Sequence, residues 1–185
     1  MLIFRNSVTN KEMVFIHIPK NSGKFIRNKI KNDKNNTIVK DFWGIVQNMD
    51  IAHIPYLRRN NHIEESTDHT YFAYSRNPYH RIISAFFYLN KGKNVNDFKH
   101  FCKTVLPKLD FNLNFVKEYI HYYPQYLFVC DLNLDISNVT VTKIEDAESP
   151  KIYNLKEFMD RQCVRVINKV YEKDFRFFNY GMIST

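Results

Sequence analysis

The chain has 185 residues, a formal net charge of +8, 44% apolar residues and 16% aromatics. Such a length fits one domain with a real core, and such a composition excludes a disordered or low-complexity chain. The charge favours an anionic partner (nucleotide, polyanionic glycan, nucleic acid or membrane surface) without choosing among them. The three cysteines, Cys102, Cys130 and Cys163, are widely spaced with no C-x-x-C pair. They read as free thiols of a reducing compartment, with no redox or zinc role. The opening Met1-Leu-Ile-Phe-Arg-Asn6 is too short and polar for a signal peptide, and no apolar run approaches membrane-spanning length.

In chain order, Met13 to Ile18 reads as a buried strand and Lys24 to Ile30 as a helix with Ile26 and Ile30 on one face. The Asn32 to Asn36 cluster predicts a turn, and Thr37 to Val39 a short strand. Ile45 to Arg59 reads as broken helix, interrupted near Pro55. Thr70 to Ser75 predicts a second buried strand, followed by helices over Tyr79 to Leu89, Val95 to Val105 and Phe111 to Tyr122. Tyr126 to Val129 and Val139 to Ile144 read as strands, and Pro150 to Tyr180 as mostly helical. Strands alternating with helices predict a single α/β domain around a mainly parallel central sheet.

Two junctions carry the chemistry. In Phe15-Ile-His-Ile-Pro-Lys-Asn-Ser-Gly-Lys24, Pro19 stops the strand and Lys20 to Gly23 turn into a helix whose first amides lack carbonyl partners. Those amides, the helix dipole and Lys20 make an anion site, with Lys24 a further cation. A Walker A loop, G-x-x-x-x-G-K-[ST], is disfavoured, because only Gly23 is present and Phe25 stands where Ser or Thr would hold magnesium. In Tyr71-Phe-Ala-Tyr-Ser-Arg-Asn-Pro-Tyr-His-Arg81, Arg76 ends a strand, Asn77 suits an N-cap and Pro78 a first helical position. Ser84 lies two turns on, and an arginine fork beside a serine hydroxyl suits a terminal phosphate. Arg81 reads as a structural ion pair.

These two motifs resemble those of the sulfotransferases that use 3′-phosphoadenosine 5′-phosphosulfate, most closely the carbohydrate branch acting on heparan and chondroitin chains. That family opens on a loop close to I-P-K-T-G-G-T-S, where this chain has Ile18-Pro-Lys-Asn-Ser-Gly-Lys-Phe25. Its second signature resembles F-x-x-x-R-N-P-Y-x-R-x-x-S-A, and Phe72 to Ala85 match every fixed position. Pro124-Gln125, Lys143-Ile-Glu-Asp146 and Val170 to Tyr180 are similar to later family segments, so the likeness spans nearly the whole chain.

The resemblance implies a P-loop-NTPase-like sulfotransferase fold. It further implies that Lys20 contacts the 5′ phosphosulfate, that the amides of Asn21, Ser22, Gly23, Lys24 and Phe25 wrap the 5′ phosphate, and that Arg76 and Ser84 hold the 3′ phosphate. The product would be 3′,5′-adenosine bisphosphate, the acceptor a sugar or other hydroxyl, polyanionic glycans among them, and no metal would be needed. Lys24 and Phe25 depart from the family's Thr and Ser.

Transfer needs a base for the acceptor's proton. His53, in Asp50-Ile-Ala-His-Ile-Pro55, is chosen, because family members often carry a histidine between the two motifs. Glu64 or Glu65 is the substitute. His17 reads as a sheet-facing residue and His80 as lying on an exposed helix side, while His62, His69, His100 and His121 carry no motif. Arg58, Arg59, Lys91 and Lys93 are candidates for acceptor contact, and Tyr119, Tyr122, Tyr123 and Tyr126 read as core. A kinase-like enzyme, a non-catalytic 3′-phosphoadenosine binder and a nucleic-acid module stand as alternatives. The last lacks any recognition-helix or RNA-binding signature, and nucleic acid is not expected among the partners. With no membrane anchor in view, a cytoplasmic setting in a bacterial or viral host is expected.

Overall fold

The structure is a computed structural model that describes residues 1–46, 49–63 and 69–185. Its centre is a five-stranded sheet in the order β3-β1-β2-β6-β7. β1 (Leu2–Asn6) and β2 (Lys11–Ile16) form an antiparallel hairpin, and β3 (Asn36–Asp41) pairs antiparallel with β1. A small second sheet pairs β4 (Ile45–Val46) with β5 (Met49–Asp50). β6 (His69–Ser75) lies parallel to β2, and β7 (Thr140–Lys143) parallel to β6. All strands of the central sheet except β1 therefore run the same way, which makes it mixed but mostly parallel.

Helices cover both faces, and the strand alternation shows which residues meet them. Leu2, Phe4 and Phe15 pack with Ile26 and Ile30 of α1 (Gly23–Asn32) on one face. Ile3, Val14, Ile16 and Ala73 point to the other face, against Tyr123, Leu127 and Phe128. A third cluster joins α2 (Pro78–Leu89), α3 (Val95–Thr104), α7 (Arg161–Val170) and α8 (Glu172–Phe177) through Ile82, Phe86, Phe98, Ile167 and Phe175. Three single-turn helices complete the fold: α4 (Tyr126–Val129), α5 (Ile144–Ala147) and α6 (Leu155–Phe158). Cys102, Cys130 and Cys163 are buried free thiols. No helix of the described residues is long and apolar enough to cross a membrane.

Several segments differ from the sequence expectation. The first strand of the sheet, β1, had not been anticipated. The described residues between Ile45 and Arg59 form the paired strands Ile45–Val46 and Met49–Asp50 and two 3₁₀ turns, Ile51–His53 and Tyr56–Asn61, instead of broken helix. Phe111 to Tyr122 is irregular until a 3₁₀ stretch at Lys117–Tyr122. The Asn112 side chain accepts from the Asn114 amide, and Phe115 is left-handed at φ 51°, two local features that compete with a helix. Tyr126–Val129 is helical where a strand was expected, because both carboxylate oxygens of Asp174 cap the Gln125 and Tyr126 amides at 2.8 and 2.9 Å.

Candidate functional site

The ends of β2 and β6, neighbours in the sheet, open onto one cleft of about 760 Å³. Lys20, Ser22, Gly23, Lys24 and Phe25 line it from the first junction, Arg76 and Ser84 from the second, with His17, His53, Trp43, Tyr88, His121 and Lys151 completing the wall. Asn21 does not line it. Its side chain is buried behind the loop, donating to the Tyr74 carbonyl at 2.6 Å and to Gln125 Oε1 at 2.7 Å.

The first loop is strained. Lys20 and Ser22 are left-handed, at φ 69° and 57°, a conformation costly without glycine. Gly23 follows, where a Cβ would fall 1.8 Å from the His17 ring, so only glycine lets the loop rest on that imidazole. Among the described residues the amides of Ser22, Gly23, Lys24 and Phe25 find no acceptor; helical pairing begins with Ile26 donating to the Ser22 carbonyl at 3.1 Å. These four open amides, at the head of a ten-residue helix, belong to residues that line the cleft with Lys20.

The second junction is strapped down. Asn77 caps α2 by accepting from the Tyr79 amide at 3.0 Å. The Arg76 backbone is held at both ends by Gln125, whose Oε1 accepts from its amide and whose Nε2 donates to its carbonyl, each at 2.8 Å. Arg76 is 4% exposed as a residue, and its guanidinium donates from Nη1 to the Lys20 carbonyl at 3.0 Å and from Nη2 to the Lys151 carbonyl. Arg81 was expected to be ion-paired, but no carboxylate among the described residues pairs with it; fully buried, it donates from Nε to the Pro19 carbonyl at 3.0 Å. The later motif-like segments support the same scaffold. Gln125 joins both loops, Glu145 accepts from the Asn77 amide and from the Tyr180 hydroxyl, and Asp174 caps α4.

The cleft side gathers positive charge with no carboxylate of the described residues in direct contact. Among the described residues no carboxylate pairs with Lys20, Arg76 or Arg81, while Arg76 Nε and Arg81 Nη2 are buried without an acceptor. Partial burial, then the neighbouring Arg76 and Arg81, lower the Lys20 ammonium to a pKa of about 8. Its Nζ sits 3.9 Å from the centre of the Tyr88 ring.

Histidines form the other wall. His53 is buried and its Nδ1 lies 2.7 Å from the His17 carbonyl. A carbonyl only accepts, so Nδ1 carries the proton and Nε2 keeps its lone pair. The His17 ring centre is 4.4 Å away and that of His121 is 5.3 Å away. Burial holds His17 and His53 well below the usual histidine range, and it lowers His121 to about 3 with help from Lys20 and Arg81. All three are neutral imidazoles near neutral pH.

His17 had been read as sheet-facing; it sits just past β2 and lines the cleft. His80 is half-buried, accepting from the Tyr153 amide at 3.2 Å. His121 and Trp43 were missed, and nothing local in the sequence marks them; only the fold carries them to the cleft. Arg58 donates to the Leu113 carbonyl at 2.6 Å and Arg59 stacks over Tyr56. Neither lines the cleft, nor do Lys91 and Lys93. Tyr122 and Tyr123 are core, with Tyr119 and Tyr126 packed against it. Glu64 and Glu65 lie outside the described residues. Comparison of the chain with protein-family models, with curated proteins and with solved structures found no match.

Proposed function

We propose that the protein is a sulfotransferase of P-loop-like architecture that moves a sulfuryl group from 3′-phosphoadenosine 5′-phosphosulfate to a hydroxyl, with a carbohydrate as the acceptor. The observation that carries this reading is that Lys20 and Arg76, from separate strand ends, line one cleft with Ser84 and His53. The residues fit a doubly phosphorylated nucleotide. The cleft holds four open amides, a lysine whose charge is disfavoured by burial and then by its cationic neighbours, and an arginine with one buried donor unused.

The donor, when bound, supplies an activated sulfuryl group on its 5′ phosphate. Lys20 and the loop amides of α1 stabilise negative charge at that phosphate, which is electrostatic work with groups already in place. Ser84 and Arg76 bind the 3′ phosphate. His53 Nε2 takes the acceptor's proton, since its tautomer is fixed by the His17 carbonyl and its lowered pKa keeps it unprotonated.

Calorimetry tests the reading. 3′,5′-Adenosine bisphosphate should bind at least about tenfold more tightly than 5′-AMP, as one charged hydrogen bond of about 1.5–3 kcal/mol requires. Ser84→Ala and Arg76→Ala should shrink that difference. Equal affinity for the two nucleotides would overturn the clamp. Preference for a magnesium nucleoside triphosphate would favour a kinase-like enzyme, and donor binding without turnover a pure binder.

A further inference from the structure

We propose that Asp50, His53 and His121 form a zinc-class divalent transition-metal site on the histidine wall of the cleft. One ligand atom from each lies within 4.8 Å of the others, and the local geometry explains why they converge. Asp50 caps the 3₁₀ turn Ile51–His53, its Oδ1 accepting from the Ala52 amide at 3.0 Å. Residues three apart eclipse in a 3₁₀ helix, which turns Oδ2 towards His53 Nε2, 3.9 Å away.

Two donors at about 2.1 Å from one ion stand about 3.4 Å apart in tetrahedral geometry, so small side-chain rotations close the set. His53 already makes the supporting contact typical of a ligating histidine, its other ring N–H given to a backbone carbonyl. His121 is oriented by stacking on Tyr88 at 4.7 Å, and its Nδ1 is buried without a partner among the described residues. His17 is not a ligand, because its Nδ1 accepts from Arg27 Nε at 3.3 Å and its ring lies against Gly23. Two imidazoles and one carboxylate suit zinc, cobalt or nickel, whereas magnesium prefers oxygen ligands. Lys20, Arg27 and Arg81 oppose any cation nearby, so affinity rises when an anion shares the cleft.

The site does not depend on the proposed transfer reaction, but it would compete with it. An ion on His53 Nε2 takes the lone pair that proton acceptance needs, so zinc is expected to suppress transfer and a chelator to restore it.

The test uses the whole chain without nucleotide, titrated with cobalt(II) and followed by visible absorption, then back-titrated with zinc. One cobalt per chain is expected, with the intense bands of a four- or five-coordinate ion, displaced by zinc and not by magnesium. His121→Ala and Asp50→Asn, each checked for folding by circular dichroism, should weaken binding at least tenfold, while His100→Ala on the surface should not. No cobalt bands, unchanged affinity in both cleft variants, or displacement by magnesium would overturn the site. Failure of the nucleotide clamp would appear only in the adenosine bisphosphate calorimetry, so the two proposals fail separately.

Discussion

The two junctions on this cleft share a plan, strand to loop to helix, and differ in how they are held. The Arg76 junction is capped by Asn77, gripped on both backbone polar groups by Gln125 and buried. The Lys20 loop carries two left-handed non-glycine residues, open amides and a lysine of lowered pKa. One junction has both Arg76 backbone polar groups tied to the fold, while the other leaves four backbone amides open. Strain and open amides in one place, with a braced backbone beside it, is the pattern expected of a binding loop resting on a rigid support.

The comparison breaks most severely at Gln125. Gln125→Ala leaves the Arg76 amide and carbonyl buried and unpaired and takes one of the two acceptors of the Asn21 side-chain amide, which keeps the Tyr74 carbonyl. At about 1–3 kcal/mol for each unpaired group, urea denaturation should show a loss of at least about 2 kcal/mol. Lys20→Ala separates the junctions next: it should cost about 1.5–3 kcal/mol of adenosine bisphosphate affinity while leaving the urea midpoint unchanged or raised, because it removes a repelled cation. A fall in the midpoint with unchanged affinity would reverse the roles given to the two loops.

Smaller effects should have opposite signs. Asn77→Ala removes a cap and should cost about 1 kcal/mol. Ser22→Gly relieves a left-handed residue whose side chain makes no capping bond, and should stabilise by about 1 kcal/mol. The finest probe is protonic. Lys20 has a pKa of about 8 without an anion, and a bound phosphate must raise it, so binding at pH 8 should take up protons. Calorimetry in buffers of different ionisation enthalpy reads this directly, and affinity should fall as pH rises through 8. For the histidines the sign is the reverse of the usual salt-bridged case. Their folded pKa values are lowered, so the unfolded chain binds more protons below about 6.5, and stability should fall as pH drops from there.

Elements with local signals were legible in the sequence. The Asn77-Pro78 start of α2 and the apolar runs of β2 and β6 each have causes within a few residues. Tyr126–Val129 misled because a four-residue apolar run suits strand or helix equally, and its deciding cap, Asp174, lies nearly fifty residues on. Lys20, Arg76 and Ser84 were traceable because the two motifs mark them, and His53 because members of the resembled family often carry a histidine between those motifs. His17, His121 and Trp43 were not, since a histidine becomes part of a cleft only through the packing of distant segments.

One methyl group shows how tightly the cleft walls are geared. The Gly23 backbone rests on the His17 imidazole, and the His17 carbonyl fixes the proton on His53. Alanine at position 23 would push the imidazole aside, and any accompanying shift of the His17 backbone would reach His53 through that carbonyl. A change in the Lys20 loop would then be felt at the His53 imidazole across the cleft, so the two walls are constrained to vary together.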